Sequence, residues 1–453
     1  MGSHQSIACG WCVVGPHPSR RLLKQFSRVT FSMSKPSRTY HDPLHGAITL
    51  HASDPEEALL IRLIDTPAFQ RLRRIRQMGP AYLTFHGAES SRFTHSLGVM
   101  ALARRAFDGL LERYPSLRPH RATVLCAALL HDIGHGPFSH TAEEIFGLHH
   151  EVWTQRIIQD IPALRDPLHQ YSPDLIPALM QVYDHTHPVP LVWQLVSSQL
   201  DCDRLDYLLR DSYSTGASYG RLDLDRILMA LELEPESQRL VVAHKGLSAI
   251  EHYLVVRHFM YAQVYNHPKN IAATWLLKCA FNRARVLYQA GTLEADDTVA
   301  AWLQSAQTPL ALDTYLAADD AVLNYHLQRW QRGQDALLAD LCRRYVDRDL
   351  LKTLEITRLS EDQQQSLLAQ VQTHLNEQGL AGETYATLEH TWSRGYTTYQ
   401  EGIHMHIDNA FVDIKHLSPL VKVLSQPAER IWLLYPRHIQ PWVQAHYTAF
   451  NPG

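Results

Sequence analysis

In the stretch CAALLHDIGHGPFSHTAEE, from Cys126 to Glu144, three histidines and an aspartate crowd around two glycines. It begins as an apolar helix, meets His131 and Asp132, turns at Gly134, and then supplies His135 and His140. Neighbouring side chains on a regular helix point in different directions. At a helix end, however, His131 and Asp132 can both reach one cation, one with a neutral nitrogen and the other with a hard oxygen. His95 in RFTHSLGVM and Asp203 in DCDRLDYLLRDS, on two other predicted helices, could complete a set of two histidines and two aspartates. Such mixed ligation suits manganese, iron or zinc and leaves positions for water and phosphate oxygens. A lone histidine on an apolar helix is more often a packed or surface residue than a ligand. The combination, and no single member of it, points to a metal centre.

The elements that must carry these groups follow from hydrophobic periodicity. HDPLHGAITL predicts a short turn and strand, and EEALLIRLIDTPAFQRLRRIRQMG a helical stretch interrupted by Pro67. SSRFTHSLGVMALARRAFDGLLERY predicts a long amphipathic helix starting at a Ser cluster. HRATVLCAALLHDIG predicts a third helix ending near Gly134, with Pro137 just beyond. Six prolines between Ile161 and Pro190 predict short helices and loops over one side of the core. LVWQLVSSQLDCDRLDYLLRDS predicts a helix on which Asp203, Tyr207 and Asp211 share one stripe, suggesting a cleft. RLVVAH reads as a strand, and LSAIEHYLVVRHFMYAQVYNH as a long helix with Arg257, Tyr261 and Tyr265 spaced by four. Beyond residue 285 the pattern is ordinary amphipathic helix, with a capping box in SEDQ at Ser360 to Gln363, followed by strands in IHMHID and RIWLLYP.

With 453 residues and 45% hydrophobic content, the chain can fill one large core plus a smaller domain, or two domains. Its formal charge of -4 provides no basic field for nucleic acid, and no apolar run approaches the roughly 20 residues of a membrane helix. Six scattered cysteines fit reduced thiols and a cytoplasmic location; the CGWC at Cys9 to Cys12 is assigned no role. Residues 1 to 41 hold six basic residues and no acidic one, which predicts a leader without a packed core. We read it as an upstream extension ahead of Met33, the competing reading being a targeting segment. The expected organisation is mainly α: a leader over 1–40, a helical core over 41–285 and a smaller α+β region over 286–453.

RFTHSLGVM, HDIGHGPFSH, HHE and DCDRLDYLLRDS, in that order, resemble the motifs of the HD-domain phosphohydrolases. YHDPLHG, DTPAFQRLRRIRQMG, TGASYGRLDLDRIL and MYAQVYNH are similar to the deoxynucleoside triphosphate triphosphohydrolase branch of that family. The resemblance covers the core and fades in the C-terminal region. It implies an HD-domain helical core in which His95, His131, Asp132 and Asp203 are the metal ligands. It makes His135, Glu143 and His150 the group that handles protons at the attacked phosphate, although the family commonly has an aspartate where Glu143 stands. A histidine paired with the longer carboxylate is still a workable acid and base, while a solvated loop pair is the competing reading of His149 and His150.

By the same resemblance Arg92, Arg204 and Arg257 clamp the triphosphate, as guanidinium forks match phosphate oxygens, and His140 contacts substrate. Tyr207, Asp211 and Tyr265 line the sugar pocket, a tyrosine ring lying close against C2′. Surface arginines and ordinary helix packing are the blander readings of these residues. The implied reaction is attack of metal-activated water on the α-phosphorus of a dNTP, with Mg accompanying the triphosphate and inorganic triphosphate leaving intact. The family further implies a homo-oligomer with an activating nucleotide between subunits. Asp65, Gln70, Arg71 and Arg73 match a segment contributing to such sites, with a charged helix face as the alternative. The SAM domain of vertebrate members has no counterpart in this sequence.

Two other classes stay open at this level. One is a different HD phosphohydrolase activity, on nucleoside monophosphates, cyclic dinucleotides or nucleic acid, although no GYP follows the HHE. The other is a nucleotide-binding or single-strand-binding regulator, which the acidic balance disfavours and which a salt titration of oligonucleotide binding would separate.

Overall fold

The computed structural model describes residues 37–393, 395–398, 402–408 and 410–450. The greater part of the leader, with Cys9, Cys12 and Met33, lies outside them. Strand β1 (Ser37–Asp42) pairs antiparallel with β2 (Gly46–His51), so the packed structure begins inside the segment expected to be leader. Asp54 caps α1 (Pro55–Ile64), and Thr66 caps α2 (Pro67–Arg71), with Pro67 starting a new helix where the first ends. Ser91 caps α3 (Arg92–Leu111).

Helix α4 (Arg121–Leu130) is buried along its whole length. A helix that is apolar all round belongs in the middle of a core, and α4 lies against α1, α3 and α8 (Leu175–Tyr183). After it come α5 (His140–Phe146), α6 (His150–Asp160) and α7 (Pro162–Tyr171), ahead of α8. The proline-rich stretch thus forms two real helices, because Pro162 sits in a first turn where its missing N–H costs nothing.

The predicted helix through LVWQLVSSQLDCDRLDYLLRDS is two helices. Helix α9 (Pro190–Gln194) stops, and α10 (Cys202–Thr215) restarts behind Asp201, whose carboxylate accepts from Ser198 N and Arg204 N, both at 2.7 Å. Asp201 competes for backbone donors as an N-cap, which ends a helix and starts another. Asp203, Tyr207 and Asp211 all remain on α10. Next come α11 (Leu224–Ala230), β3 (Leu231–Leu233), β4 (Leu240–Ala243) and α12 (Leu247–Met260). The long helix expected from 247 onwards is interrupted by a π turn, Tyr261–Tyr265, so Arg257, Tyr261 and Tyr265 do not follow an unbroken α register.

Helix α13 (Pro268–Gln289) runs across residue 285, so the expected division between core and C-terminal region falls inside one helix. Helices α14 (Asp297–Leu303), α15 (Leu312–Ala317), α16 (Asp320–Trp330) and α17 (Ala336–Val346) follow. Then come β5 (Lys352–Glu355), α18 (Glu361–Glu377) with the predicted capping box at Ser360 and Gln363, and α19 (Gly382–Tyr385). Strands β6 (Thr387–Ser393), β7 (His404–Ile407) and β8 (Ala410–Asp413) precede α20 (Pro419–Leu424), β9 (Ala428–Tyr435) and α21 (Gln440–Phe450). The strands at IHMHID and RIWLLYP are present. Strands β5, β6 and β8 were not expected; two of the three have only four residues, too few to show an alternation.

One sheet has the order β5-β9-β6; the other is β3-β4-β7-β8, with β4 and β7 parallel. The second sheet therefore joins strands from both sides of residue 285. The fold is mainly α, with a smaller region of sheets in the C-terminal part.

Candidate metal centre and substrate cavity

Helices α3 and α10 cross closely because Gly98 faces Asp206. A Cβ at Gly98 would lie 2.0 Å from Asp206 Oδ1 and 2.5 Å from Arg210 Nη2. This approach brings His95 on α3 to Asp203 on α10, Nε2 to Oδ1, at 3.0 Å. The turn after α4 adds His131, whose Nε2 is 3.3 Å from His95 Nε2 and 3.7 Å from Asp203 Oδ1. Asp132 completes the group, with Oδ2 3.6 Å from His95 Nε2 and Oδ1 3.3 Å from His131 Nε2. The turn itself needs Gly134, where a Cβ would meet His150 O at 2.1 Å.

Hydrogen bonding fixes what these atoms offer. His131 Nδ1 lies 2.8 Å from the carbonyl of Ala128, which can only accept, so Nδ1–H donates and Nε2 keeps its lone pair. His95 Nδ1–H donates to Asp206 Oδ2 at 2.7 Å, a carboxylate behind the ring of the kind that orients metal-ligating histidines. Two imidazole nitrogens and two carboxylates thus converge on one point. Ligands on bonds of about 2.1 Å to one ion sit roughly 3.0 Å apart when adjacent, and the separations here fit such a shell. In the metal-free chain burial opposes charge on His95, yet its bonds to Asp203 and Asp206 raise it to about 10, so a proton supplies the positive charge. Burial would push Asp132 up, but Arg92, His131 and His135 hold its carboxyl well below the usual range.

Asp206, absent from the expected set, is fully buried and binds three side chains through four hydrogen bonds. Besides His95 it accepts from His45 Nε2 at 2.6 Å and from Arg210 at 2.8 and 2.9 Å, and Arg210 also pairs with Asp42 at 2.9 Å. Its signal in the sequence is an Asp four residues before an Arg on the apolar side of an amphipathic helix.

Two neighbouring cavities flank the group. One, of about 310 Å³, is walled by His131, Asp132, His135, His140, His150 and Asp203. The other, of about 420 Å³, continues past Asp203 and Arg204 to Tyr207, Asp211, Tyr261 and Tyr265. Arg92, His140, Arg204 and Tyr207 border both, as does Gln77, which the sequence reading passed over. Arg92 is buried and donates to Asp132 Oδ2 at 2.5 Å and to Ser139 Oγ at 2.8 Å. Arg204 donates to Asp201 and to the carbonyl of Ser198.

Arg257 is not brought to either cavity wall. It is buried, with Nη1 donating to Gln199 Oε1 at 2.8 Å and its guanidinium 5.9 Å from the centre of the Tyr261 ring. Tyr261, displayed by the π turn, takes a place on the wall that was not expected for it, its hydroxyl 3.4 Å from that of Tyr207. Tyr265 donates to Asp211 Oδ2 at 2.9 Å, while Asp211 Oδ1 is buried without a partner. Burial pushes Asp211 up to about 7 against the hydrogen bond from Tyr265.

His135, His140 and His150 gather around Glu143. Its Oε1 lies 3.4, 3.1 and 2.8 Å from their respective Nδ1 atoms. The His135 and His150 rings stack at 3.8 Å. The turn carrying His135 is braced from a distance. Arg71 donates to the carbonyls of His135 and Ala318, both at 2.9 Å, Tyr315 donates to Gly134 O at 2.5 Å, and Asp320 accepts from Phe138 N at 2.8 Å. Phe138 and Ser139 both adopt positive φ, a conformation that such outside contacts must hold. Arg71, expected at a nucleotide site, is thus turned inward. Asp65 pairs with Arg38, Gln70 donates to Ile64 O, and Arg73 donates to Gln70 while lying over Phe93.

Residues 92–208 match the HD domain model, and residues 222–435 match the HD associated region model. The Bacillus subtilis protein YwfO is 36% identical over 397 residues, covering 86% of this chain and 89% of that one. The structure is similar to that of a phosphohydrolase from Bacteroides thetaiotaomicron, with a TM-score of 0.77 and 28% identity over 89% of this chain and 100% of that one. The chain belongs to the HD-domain phosphohydrolase superfamily. The human deoxynucleoside triphosphate triphosphohydrolase SAMHD1 is 45% identical over 124 residues, which is 27% of this chain and 19% of that protein. HD domains bind divalent metals, and the His95, His131 and Asp203 group could hold one. Among the described residues no helix is long and apolar enough to cross a membrane, and Cys126, Cys202, Cys279 and Cys342 are free thiols.

Proposed function

We propose that this HD phosphohydrolase hydrolyses deoxynucleoside triphosphates to the deoxynucleoside and inorganic triphosphate, using His95, His131, Asp132 and Asp203 to hold a divalent ion. The observation that carries this reading is the cavity that leads from Asp203 along α10 to the unpartnered Asp211 Oδ1, between Tyr207 and Tyr265. A buried acceptor beside aromatic walls suits a sugar hydroxyl, and eight helical residues separate it by about 12 Å along the axis from the ligand Asp203. The likeness to the vertebrate triphosphohydrolase over the central segment supports the same substrate class.

A divalent ion held by His95, His131, Asp132 and Asp203 would supply Lewis-acid activation of water and of the phosphate. Arg92, Arg204 and His140, at the junction of the two cavities, face the phosphates. The water oxygen would bond to the α-phosphorus as the bond to the 5′ oxygen breaks; His150 or His135 would give that oxygen its proton and recover one from the attacking water. Glu143, bridging the histidines, orients them as a positioning residue. Tyr207 and Tyr265 close against the sugar, and a 2′-hydroxyl would crowd the Tyr207 ring. Arg257, held by Gln199, would support Arg204 from behind or turn to a longer phosphate chain. Mg with the triphosphate, a homo-oligomer, an activating nucleotide and a cytoplasmic setting belong to the same proposal.

The test is incubation of the purified chain with manganese and each dNTP, singly and in mixture, with the products resolved by chromatography. Intact triphosphate with deoxynucleoside is the expected result, and dependence on a second nucleotide would reveal activation. Stepwise release of monophosphate, or turnover of monophosphates or oligonucleotides alone, would replace the reading with another HD activity.

Asp211 adds a pH signature. Between its unfolded value of 3.8 and its folded value of about 7, the unfolded chain has released a proton that the folded chain keeps. Stability from this group therefore falls as pH rises from about 4 to 7 and levels off above. Asp211→Asn is expected to melt higher than the parent at pH 8 and to lose that advantage at pH 4. Melting curves displaced equally at both pH values would contradict the buried, proton-retaining carboxyl.

A further inference from the structure

Glu143 and the three histidines around it have a property that proton transfer does not require. His135 is 1% exposed, and its Nε2 faces Asp132 Oδ1 at 3.3 Å. With Nε2–H donated to that carboxylate, Nδ1 carries a lone pair, and it has no hydrogen-bond partner. It points at Glu143 Oε1, another electron-rich atom, at 3.4 Å. His140 and His150 direct their own Nδ1 atoms at the same oxygen, and the ligating atoms of all four residues lie within 4.8 Å of one another.

We propose that His135, His140, Glu143 and His150 form a second cation site, separate from the His95 group, that takes a zinc-type ion. Three imidazoles and one carboxylate are the ligand chemistry of such ions, and a tetrahedral ion on bonds of about 2.0–2.1 Å places its ligands roughly 3.3 Å apart. The distances from Glu143 Oε1 to the three nitrogens, 3.4, 3.1 and 2.8 Å, bracket that edge. Entry is open, because His140 is 66% exposed at the rim while His135 closes the floor. The glutamate matters: its oxygen reaches all three rings from the first turns of α5. An ion seated here would occupy the nitrogens assigned above to proton transfer, so filling the site should inhibit hydrolysis. Only that consequence rests on the proposed activity.

The full chain, stripped of metal and dialysed against zinc, should retain two ions per chain by elemental analysis. His140→Ala, which alters an exposed side chain, and Glu143→Gln should each retain one, and Asp203→Ala should also retain one. Cobalt in place of zinc should give the intense visible absorption of a tetrahedral centre in the parent and in Asp203→Ala but not in His140→Ala. A single ion in the parent, two ions undiminished in both His140→Ala and Glu143→Gln, or loss of both ions in Asp203→Ala would overturn the proposal. These counts are independent of turnover, so failure of the second site and failure of the triphosphohydrolase reading are distinguishable.

Discussion

Asp203→Ala is expected to abolish hydrolysis, with a loss of about 10³-fold or more in kcat, and to lower retention of metal at the His95 site. The side chain is the one member of the His95 group carried by α10 and stands 3.0 Å from His95 Nε2 and 3.7 Å from His131 Nε2. Stabilisation of transition-state charge by a bound ion is worth several kcal/mol, and each 1.36 kcal/mol or so is tenfold in rate. The fold should survive, because Asp203 is partly exposed and Asp201 remains to cap the helix. Kinetics with metal analysis on the same preparation checks this, and full activity with unchanged metal content would remove Asp203 from the ligand set. Glu143→Gln should be milder than His131→Ala, since the carboxylate acts through the histidines around it.

Asp206 separates stability from metal affinity in a way that Asp203 does not. Asp206→Ala would leave Arg210, 3% exposed, with only Asp42 to balance it, and would free His95 Nδ1 and His45 Nε2. Removing one member of a buried charge network costs about 3–5 kcal/mol, which denaturant unfolding of the metal-free chain should register. Asp206→Asn keeps the shape and loses the charge. It is expected to fold and to bind the ion about 10- to 100-fold more weakly, as changes behind a ligating histidine do. Equal metal affinity in parent and Asp206→Asn would show that the His95 orientation is set by packing alone.

The four residues around the His95 site could be singled out from the sequence because an adjacent His and Asp at a helix end is a local pattern. Asp206 could not be weighed in the same way. Its partners His45, His95 and Arg210 come from a hairpin, α3 and α10, and a buried carboxylate becomes intelligible only when all three arrive. Tyr261 and Arg257 show the limit of periodicity. A spacing of four on a continuous helix would keep them on one stripe, but the π turn displays Tyr261 on the cavity while Arg257, whose place in the phosphate clamp came from the family resemblance, is held by Gln199. Helix α3 was legible from its apolar repeat and the Ser cluster at its start, and α4 from its apolar run. The short strands β5 and β8 were not, because a strand of four residues takes its identity from the partner it pairs with. Helix α9 was merged with α10 because SSQLDC keeps an apolar rhythm, whereas Asp201 claims the backbone donors that a continuous helix would have used.

The parallel pairing of β4 with β7 sets Val242 opposite Met405 and Ala243 opposite His406. Between those partners lie some 160 residues, which a ribosome working at about 5–20 residues per second delivers in roughly 10–30 s. Tyr315 and Asp320, which brace the histidine turn, emerge within that interval, well after the helices they support. During synthesis β4 must therefore wait with one edge open, a template for pairing with other chains. The nascent protein passes through a period in which His95, His131, Asp132 and Asp203 have been made but the turn after α4 is not yet locked.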